Sequence, residues 1–258
     1  VLLTHGHLDH TGYLPRLVKQ GFKGPIYGSN PTLDIAAIIL KDSARIQEQE
    51  AKRANKEAYS KHHPAKPLYN LAEADHTLAY FNRVPPAQWL PLLDGIHMRF
   101  TYNGHILGGT FIELDVYGKY YVFSGDIGRT NDLLLYPPLK PKKADFLFIE
   151  STYGGRFHPE EAEAVPVIEK LVNETISRGG SLFIPSFSGE RAQLLMMILG
   201  SLIRENKIPK VPMIMDSPMG ANVLELFHQN RDWHRLDDQA SYEMCSYFTV
   251  VSSFRETM

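Results

Sequence analysis

The sequence has almost no cysteine: its single thiol, Cys245, excludes an internal disulfide framework. It also has no apolar run of about 18 residues, which excludes a membrane-spanning helix. Nor does positive charge prevail, since 27 lysines and arginines face 29 aspartates and glutamates, for a net charge of −2. Such a chain has no global attraction for nucleic acid, so a polyanion would have to meet a local basic surface or bound metal ions. The scarcity of cysteine suits a reducing compartment, and we expect a cytoplasmic location.

The chain of 258 residues is long enough for one large domain or two modest ones with a substantial core. It begins with Val1 rather than with methionine, and a histidine-rich motif follows within a few residues. We therefore expect a fragment from which amino-terminal strands are missing.

Strand and helix patterns alternate along most of the sequence, which predicts an α/β fold. In the first part, two alternating strand segments meet at the tight turn Tyr117-Gly118 and predict a hairpin. In the second part a strand–helix–strand order takes over, with strands predicted at 181–185 and 211–215. We expect one domain of residues 1–155 and another of residues 156–258.

The segment Thr4-His5-Gly6-His7-Leu8-Asp9-His10 directly follows a short apolar run that reads as a buried strand. A strand that turns into a helix here would project His5 and His7 to one side, while Asp9 and His10 swing round from the turn. Imidazole nitrogens and carboxylate oxygens are ligands of zinc. The motif therefore predicts two metal ions held side by side, rather than a merely polar loop.

Two later segments complete this set of candidate ligands. His105 lies in the glycine-rich loop Asn103-Gly104-His105, where the backbone can approach a ligand closely. Asp126 comes immediately after a hairpin strand. Alone, His105 could be a hydrogen-bonded loop residue and Asp126 a turn cap. Together with the first motif they give four histidines and two aspartates, as in dinuclear hydrolases.

With these motifs and two more, the sequence resembles the metallo-β-lactamase-fold hydrolases. It is most similar to the β-CASP nucleases, the branch that includes the cleavage and polyadenylation specificity factor endonuclease and its bacterial and archaeal relatives. The additional motifs are 149–154 (Ile-Glu-Ser-Thr-Tyr-Gly) and 184–193 (Ile-Pro-Ser-Phe-Ser-Gly-Glu-Arg-Ala-Gln), and the stretch 63–69 resembles the bacterial and archaeal members. The resemblance runs from Val1 to about Phe254. It implies an αββα sandwich followed by an inserted α/β β-CASP domain, both incomplete in this chain.

The resemblance also implies a role for each candidate ligand. His5, His7 and His105 would hold one zinc ion, Asp9 and His10 the second, and Asp126 would bridge the two. Manganese is the alternative metal. Asp9 would also orient the attacking water. Glu150 matches the acidic residue that supports a catalytic histidine in the family. That histidine and a further zinc ligand are expected beyond the end of this chain, and no other histidine is assigned to these roles.

Substrate contacts are predicted in the second domain. Ser186 and Ser188 precede a helix whose free N–H groups suit a phosphate, and Arg191 lies in its first turn. An ion pair with a nearby carboxylate is the alternative role for Arg191. Tyr153 and Phe187 could each stack an unpaired base, although core packing is the expected role of Phe187.

The preferred hypothesis is a zinc-dependent ribonuclease that acts on single-stranded RNA in RNA processing or decay, with a homodimer left open. One alternative is a small-molecule metallohydrolase, such as a thioesterase or lactonase, on the same fold. Another is a DNA nuclease of the same branch. The last alternative is a non-catalytic scaffold. Such a protein would be expected to lose metal ligands, whereas all six candidate ligand positions are intact in this sequence.

Overall fold

The computed structural model describes residues 1–156, 164–187 and 189–251. The chain divides into two compact units. The first comprises Val1–Asp132 and Tyr136–Glu150, and the second comprises Leu133–Leu135 and the residues from Ser151 onward. The assignment of domains to residues 1–155 and 156–258 stays a prediction.

The first unit combines four helices with seven strands. Its helices are α1 (Leu8–Thr11), α2 (Leu14–Lys19), α3 (Asn30–Glu57) and α4 (Leu71–Leu78). Its strands are β1 (Ile26–Gly28), β2 (Phe81–Arg83), β3 (Leu90–Leu93), β4 (Ile96–Tyr102), β5 (Thr110–Val116), β6 (Lys119–Phe123) and β7 (Phe146–Phe148).

The long helix α3 has clear start and stop signals. Ser29 is its N-cap, with the side-chain oxygen accepting from the Thr32 N–H group, and Pro31 lies in the first turn. Along the helix, buried apolar residues recur at helical spacing, from Leu33 to Leu40 and beyond. The helix ends at Ala58, whose φ of 56° is left-handed.

Two sheets and a layer of helices build the first unit. β1 and β2 pair in parallel, and only Leu2 of the predicted strand at residues 1–4 joins them, through a single bridge to Tyr27. Towards the helices, Ile26 packs with Leu33 of α3 in a buried cluster. On the side of the larger sheet, Leu2 and Tyr27 pack against a second cluster that contains Phe100. The small sheet thus lies between the helices and the larger sheet.

The larger sheet has the strand order β3-β4-β5-β6-β7. β5 and β6 form the predicted hairpin, with Val116 paired to Lys119 across the turn at Tyr117-Gly118. β7 runs parallel to β6, and the Ser124 N–H group donates to the Phe148 carbonyl at 2.9 Å. Because parallel strands end at the same edge, the segments that carry Asp126 and Glu150 emerge side by side.

Among its described residues, the second unit contains four α-helices, a 3₁₀ turn and a parallel strand pair. These elements are α5 (Ala164–Ser177), α6 (Arg191–Arg204), β8 (Met213–Asp216), α7 (Pro218–Gln229), the 3₁₀ turn Arg231–Trp233, α8 (Asp238–Ser246) and β9 (Phe248–Val251). Leu202 and Ile203 of α6 pack against Val172 of α5 in its core. The predicted strand at 181–185 is wrong: this segment has no strand, and Phe183 is 87% exposed. A segment with the apolar composition of a strand does not form one unless a neighbouring strand pairs with its backbone.

The mixed α/β class predicted from the sequence is confirmed. None of the helices in the described part of the chain has the length and apolar character needed to cross a bilayer.

Candidate metal centre

The first motif folds as a short turn into helix α1. His7 is the extended N-cap residue of this helix, so His5 and His7 precede the helix while Asp9 and His10 lie in it. The Thr11 hydroxyl donates to the His7 carbonyl at 2.8 Å. This bond fixes the backbone between the histidines that precede the helix and the two candidate ligands within it. A side chain at Gly6 is excluded, since its Cβ would lie 2.7 Å from Ile35 Cγ2 of α3.

Four of the predicted ligands converge on one point. Each of His5, His7, His105 and Asp126 offers a ligand atom, and these atoms all lie within 4.8 Å of one another. His105 Nε2 lies 3.2 Å from His7 Nδ1. Residues that are about 100 positions apart in the sequence are therefore brought together by the fold, as the prediction required.

The two oxygens of the Asp126 carboxylate face two groups of candidate ligands, with His105 and His5 in the first group and His10 in the second. Its Oδ2 atom lies 3.5 Å from His105 Nε2 and 3.9 Å from His5 Nε2, whereas its Oδ1 atom lies 3.3 Å from His10 Nε2. Asp9 joins the second group, with Oδ2 3.4 Å from His10 Nε2. One oxygen therefore faces each group.

Burial favours the uncharged form of the imidazoles in the first group, His5, His7 and His105. Burial, and next the neighbouring His10, His105 and His7, lowers the pKa of His5 to about 2. Burial followed by the neighbouring His7 lowers the pKa of His105 to about 4, and burial also lowers the pKa of His7. Neutral imidazoles have a lone pair free for a metal ion.

The residues fit a divalent metal ion. His5 is fully buried, and its Nε2 atom has no hydrogen-bond partner among the described residues although Asp126 and His105 surround it. A buried polar atom without a partner is costly, and a metal ion at this point would satisfy it. Imidazole together with carboxylate is the ligand set of zinc and similar transition metals.

Asn103 ties the two ligand loops together, a role that the sequence reasoning missed. This residue is buried, and its Nδ2 group donates to the carbonyl of Ser124 at 3.1 Å and to that of Asp126 at 2.7 Å. Its Oδ1 atom accepts from the His105 N–H group at 3.2 Å. The position of Asn103 immediately before the Gly104-His105 pair at a strand end is the signal that could have suggested this role.

The loop that carries His105 and the loop that carries Asp126 contact each other at Gly104 and Gly128. A Cβ atom on Gly128 would lie 1.7 Å from the Gly104 carbonyl oxygen, so only glycine fits there. Gly104 itself has a φ of 68°, which favours glycine. The Gly128 N–H group donates to the Asn103 carbonyl at 2.9 Å and closes the contact.

The other side of the His105 loop is held by the start of α3. The Gly108 carbonyl accepts from the hydroxyls of Ser29 and Thr32, each at 2.7 Å. The metal motif and the His105 loop are therefore both anchored on the first turns of this helix.

Glu150 lies beside this centre, where its carboxylate forms a hydrogen bond with the backbone of the loop that carries Asp126. Its Oε1 atom accepts from the Ile127 N–H group at 3.0 Å, and its own N–H group donates to Ser124 Oγ at 3.0 Å. Glu150 thereby holds the residue that follows Asp126, and its charge acts on the pKa of His105 as a minor influence.

The predicted substrate residues belong to the second unit. Tyr153 is 56% exposed, the Ser186 hydroxyl donates weakly to the Ile184 carbonyl at 3.4 Å, and Arg191 is the first residue of α6. Ser188 lies outside the described residues. The expected core packing of Phe187 is wrong, since this side chain is 79% exposed.

Comparison with known proteins identifies relatives along most of the chain. Residues 192–258 match the Beta-Casp domain. The chain is 31% identical to Ribonuclease TTHA0252 of Thermus thermophilus over 227 residues, which is 88% of this chain and 48% of the relative. It is 31% identical to Transcription termination factor FttA of Methanosarcina mazei (84% of this chain, 33% of the relative) and 27% identical to Endoribonuclease YSH1 of Candida glabrata (88% and 28%).

The chain thus spans about half the length of the first of these relatives and a third or less of the other two. The match to the Beta-Casp domain and the alignment with these relatives agree with the histidine and aspartate cluster of the first unit. The chain is thus similar to proteins of the β-CASP family of metallo-β-lactamase-fold proteins.

Proposed function

We propose that the protein is a metal-dependent ribonuclease that hydrolyses phosphodiester bonds of single-stranded RNA. The observation that carries this proposal is the convergence of His5, His7, His105 and Asp126 within 4.8 Å. The names of the relatives Ribonuclease TTHA0252 and Endoribonuclease YSH1 support RNA as the substrate. The single cysteine suits a reducing compartment, so we place the activity in the cytoplasm.

We assign the ligands to two zinc ions, with manganese as the alternative metal. His5, His7 and His105 would hold one ion, Asp9 and His10 the other, and Asp126 would contribute one carboxylate oxygen to each. The distances from Oδ2 to His105 and from Oδ1 to His10, 3.5 and 3.3 Å, support this division. When bound, two such ions would lower the pKa of a water molecule and neutralise negative charge on the phosphodiester.

The carboxylates of the chain then have distinct tasks. Asp9 is largely exposed, so its free oxygen can accept a hydrogen bond from the attacking water and orient it. Glu150 is assigned as a positioning residue, because its carboxylate accepts a hydrogen bond from the backbone N–H group of the residue that follows Asp126. A shift of this loop would move the ligand that the two groups of histidines share.

The residues of the second unit are proposed to hold the RNA strand. The exposed ring of Tyr153 offers a face on which an unpaired base could stack. Arg191 begins a helix of 14 residues, whose first N–H groups and positive dipole end suit a phosphate. Ser186 and Ser188, from the segment before this helix, are proposed as further phosphate contacts.

The experiment is cleavage of end-labelled single-stranded RNA and of DNA with the matching sequence by the protein that carries this chain. Asp9→Ala is the test variant, and Asp94→Ala, an exposed turn residue of the same unit, is the matched control. We expect metal-dependent RNA cleavage that falls by at least about 100-fold in Asp9→Ala and is unchanged in Asp94→Ala.

The same preparations are offered a thioester and a lactone. Turnover of either compound while RNA stays intact would overturn the ribonuclease proposal in favour of a small-molecule hydrolase. Cleavage of DNA alone would assign a DNA nuclease, and the product ladder on RNA distinguishes cuts within the strand from stepwise removal of nucleotides.

A further inference from the structure

The loop after α3 is built on that helix by side-chain hydrogen bonds. Asn55 pairs with the backbone of Ala65 in both directions, accepting from its N–H group at 2.7 Å and donating to its carbonyl at 2.9 Å. Gln47 accepts from the Leu68 N–H group at 3.0 Å, and the buried Tyr69 donates to Ser43 Oγ at 3.0 Å. The loop is therefore held in one conformation along the second half of the helix.

This loop presents basic side chains around a surface depression. The depression measures about 550 Å³ and is lined by Lys61, His62, His63, Pro64 and Lys66, without a carboxylate. All five residues are exposed or half-exposed. Neither lysine forms an ion pair with any residue in the described ranges, so both ammonium groups are available to an anion.

The charge of the surrounding segment is strongly positive. Residues 52–66 contain five lysines and arginines and one glutamate, so they carry a net charge of +4 in a chain whose total is −2. The single glutamate, Glu57, already accepts from Arg53 at 3.1 Å. Just before this segment, Glu50 accepts a hydrogen bond from Tyr59. The local acids are therefore engaged, whereas the lysines face solvent.

The depression lies far from the metal centre but within the same unit. Ile35, near the start of α3, lies against Gly6, which stands between His5 and His7 of the metal motif. Asn55, which holds the loop, follows 20 residues later on the same helix. At a rise of about 1.5 Å per residue, the two points are about 30 Å apart. A strand whose bases stay stacked advances about 3.4 Å per nucleotide, so about nine stacked nucleotides would connect the two points.

We propose that the loop at residues 61–66 is a second, non-catalytic site that binds the phosphate backbone of an RNA strand extending from the metal centre. The proposal rests on the proposed ribonuclease function. The preorganised loop lowers the entropic cost of binding, and its unpaired ammonium groups release counterions from phosphates. An acidic segment of a partner protein could meet the same charges, and the test separates the two ligands.

The experiment measures binding of fluorescent single-stranded RNA of 6 and 20 nucleotides to the Asp9→Ala protein, which prevents cleavage during titration. Lys61→Gln/Lys66→Gln is the test variant, and Lys23→Gln/Lys210→Gln, two exposed lysines elsewhere, is the control. We expect the test variant to bind the 20-nucleotide RNA about 5- to 10-fold more weakly, with a salt slope lower by about 1.4. Binding of the 6-nucleotide RNA and of the control variant should be unchanged.

Three outcomes would overturn the inference. If the test variant binds the 20-nucleotide RNA unchanged, or loses equal affinity for both lengths, the loop is not a distal RNA site. RNA cleavage by the unmutated protein would in that case still support the proposed function. Polyglutamate that competes as well as RNA at equal charge would assign the loop to an acidic protein partner. Absence of any RNA binding by the Asp9→Ala protein, together with absence of cleavage by the unmutated one, would remove both proposals.

Discussion

The side-chain amide of Asn103 donates to the backbone carbonyl of Asp126 at 2.7 Å, and this bond joins two loops that come from different strand ends. The same side chain accepts from the N–H group of His105. A candidate ligand on each loop is thereby positioned by one buried residue that does not itself approach the metal centre. Such outer partners fix the orientation of ligands, and losing one typically lowers metal affinity by about 10- to 100-fold.

Replacing Asn103 by alanine is expected to weaken metal binding by about 10- to 100-fold. It also leaves one buried and one partly buried carbonyl without their donor, which should reduce the free energy of unfolding by about 1–3 kcal/mol. Competition with a chelating dye measures the affinity directly and does not depend on activity.

A matched control separates positioning from general loss of stability. Asn55→Ala removes two hydrogen bonds to backbone in the loop after α3, distant from the metal centre. This variant should bind metal like the unmutated protein. Equal metal affinity in Asn103→Ala and Asn55→Ala would contradict a positioning role for Asn103.

Replacing Gly128 by alanine is expected to disrupt the metal centre. The new methyl group would lie 1.7 Å from the Gly104 carbonyl oxygen, and backbone on both sides has to move to make room. We expect loss of metal binding and a lower thermal midpoint. Gly189→Ala, where no atom of the described residues lies within 4 Å of the added methyl group, is the control. Metal binding by Gly128→Ala at the level of this control would refute the close contact of the two loops.

The number of bound metal ions tests the division of ligands between two sites. His10→Ala removes a ligand from one group only, so the metal content is expected to fall from two ions per chain to one. Asp126→Ala removes the carboxylate that faces both groups, and both ions should bind more weakly. Elemental analysis after dialysis gives these numbers, with the exposed His97→Ala as control. Two ions in His10→Ala would exclude this residue as a ligand.

The sequence was sufficient for the candidate ligands because their chemistry is local. Three histidines and an aspartate within six positions, next to a short apolar run, indicate a metal whatever the surrounding fold. His105 and Asp126 could be added because both follow strand patterns, and the fold places them with His5 and His7. Their roles as metal ligands stay a proposal.

Features that depend on neighbours could not be read from the sequence. The segment 181–185 has the composition of a strand but forms none among the described residues, since a strand needs a partner. Asn103 acts through three backbone groups of residues 105, 124 and 126, and no spacing rule connects it to the last two. The fastening of the loop at 61–66 to α3 likewise depends on contacts between residues up to 26 positions apart.

His234 of the second unit should make that unit less stable at acidic pH. The side chain is buried, its Nε2–H group donates to the Phe227 carbonyl at 2.8 Å, and its Nδ1 atom accepts from the Leu236 N–H group at 3.2 Å. This pattern requires the neutral imidazole, because a proton on Nδ1 would remove the second bond. Burial lowers the pKa of His234 below its usual value of 6.5.

Because the folded-state pKa of His234 is depressed, the unfolded chain takes up the proton first as the pH falls below about 6.5. The contribution of this histidine is therefore complete above that pH and is lost below it, by at most about 1.4 kcal/mol per pH unit. Urea unfolding at pH 7.5 and 5.5 can be followed by the fluorescence of Trp233 in a Trp89→Phe background, since the chain has two tryptophans. His234→Gln, which cannot titrate, should lose less stability on acidification than the protein with His234. Equal losses in the two proteins would show that His234 is not held neutral by the fold.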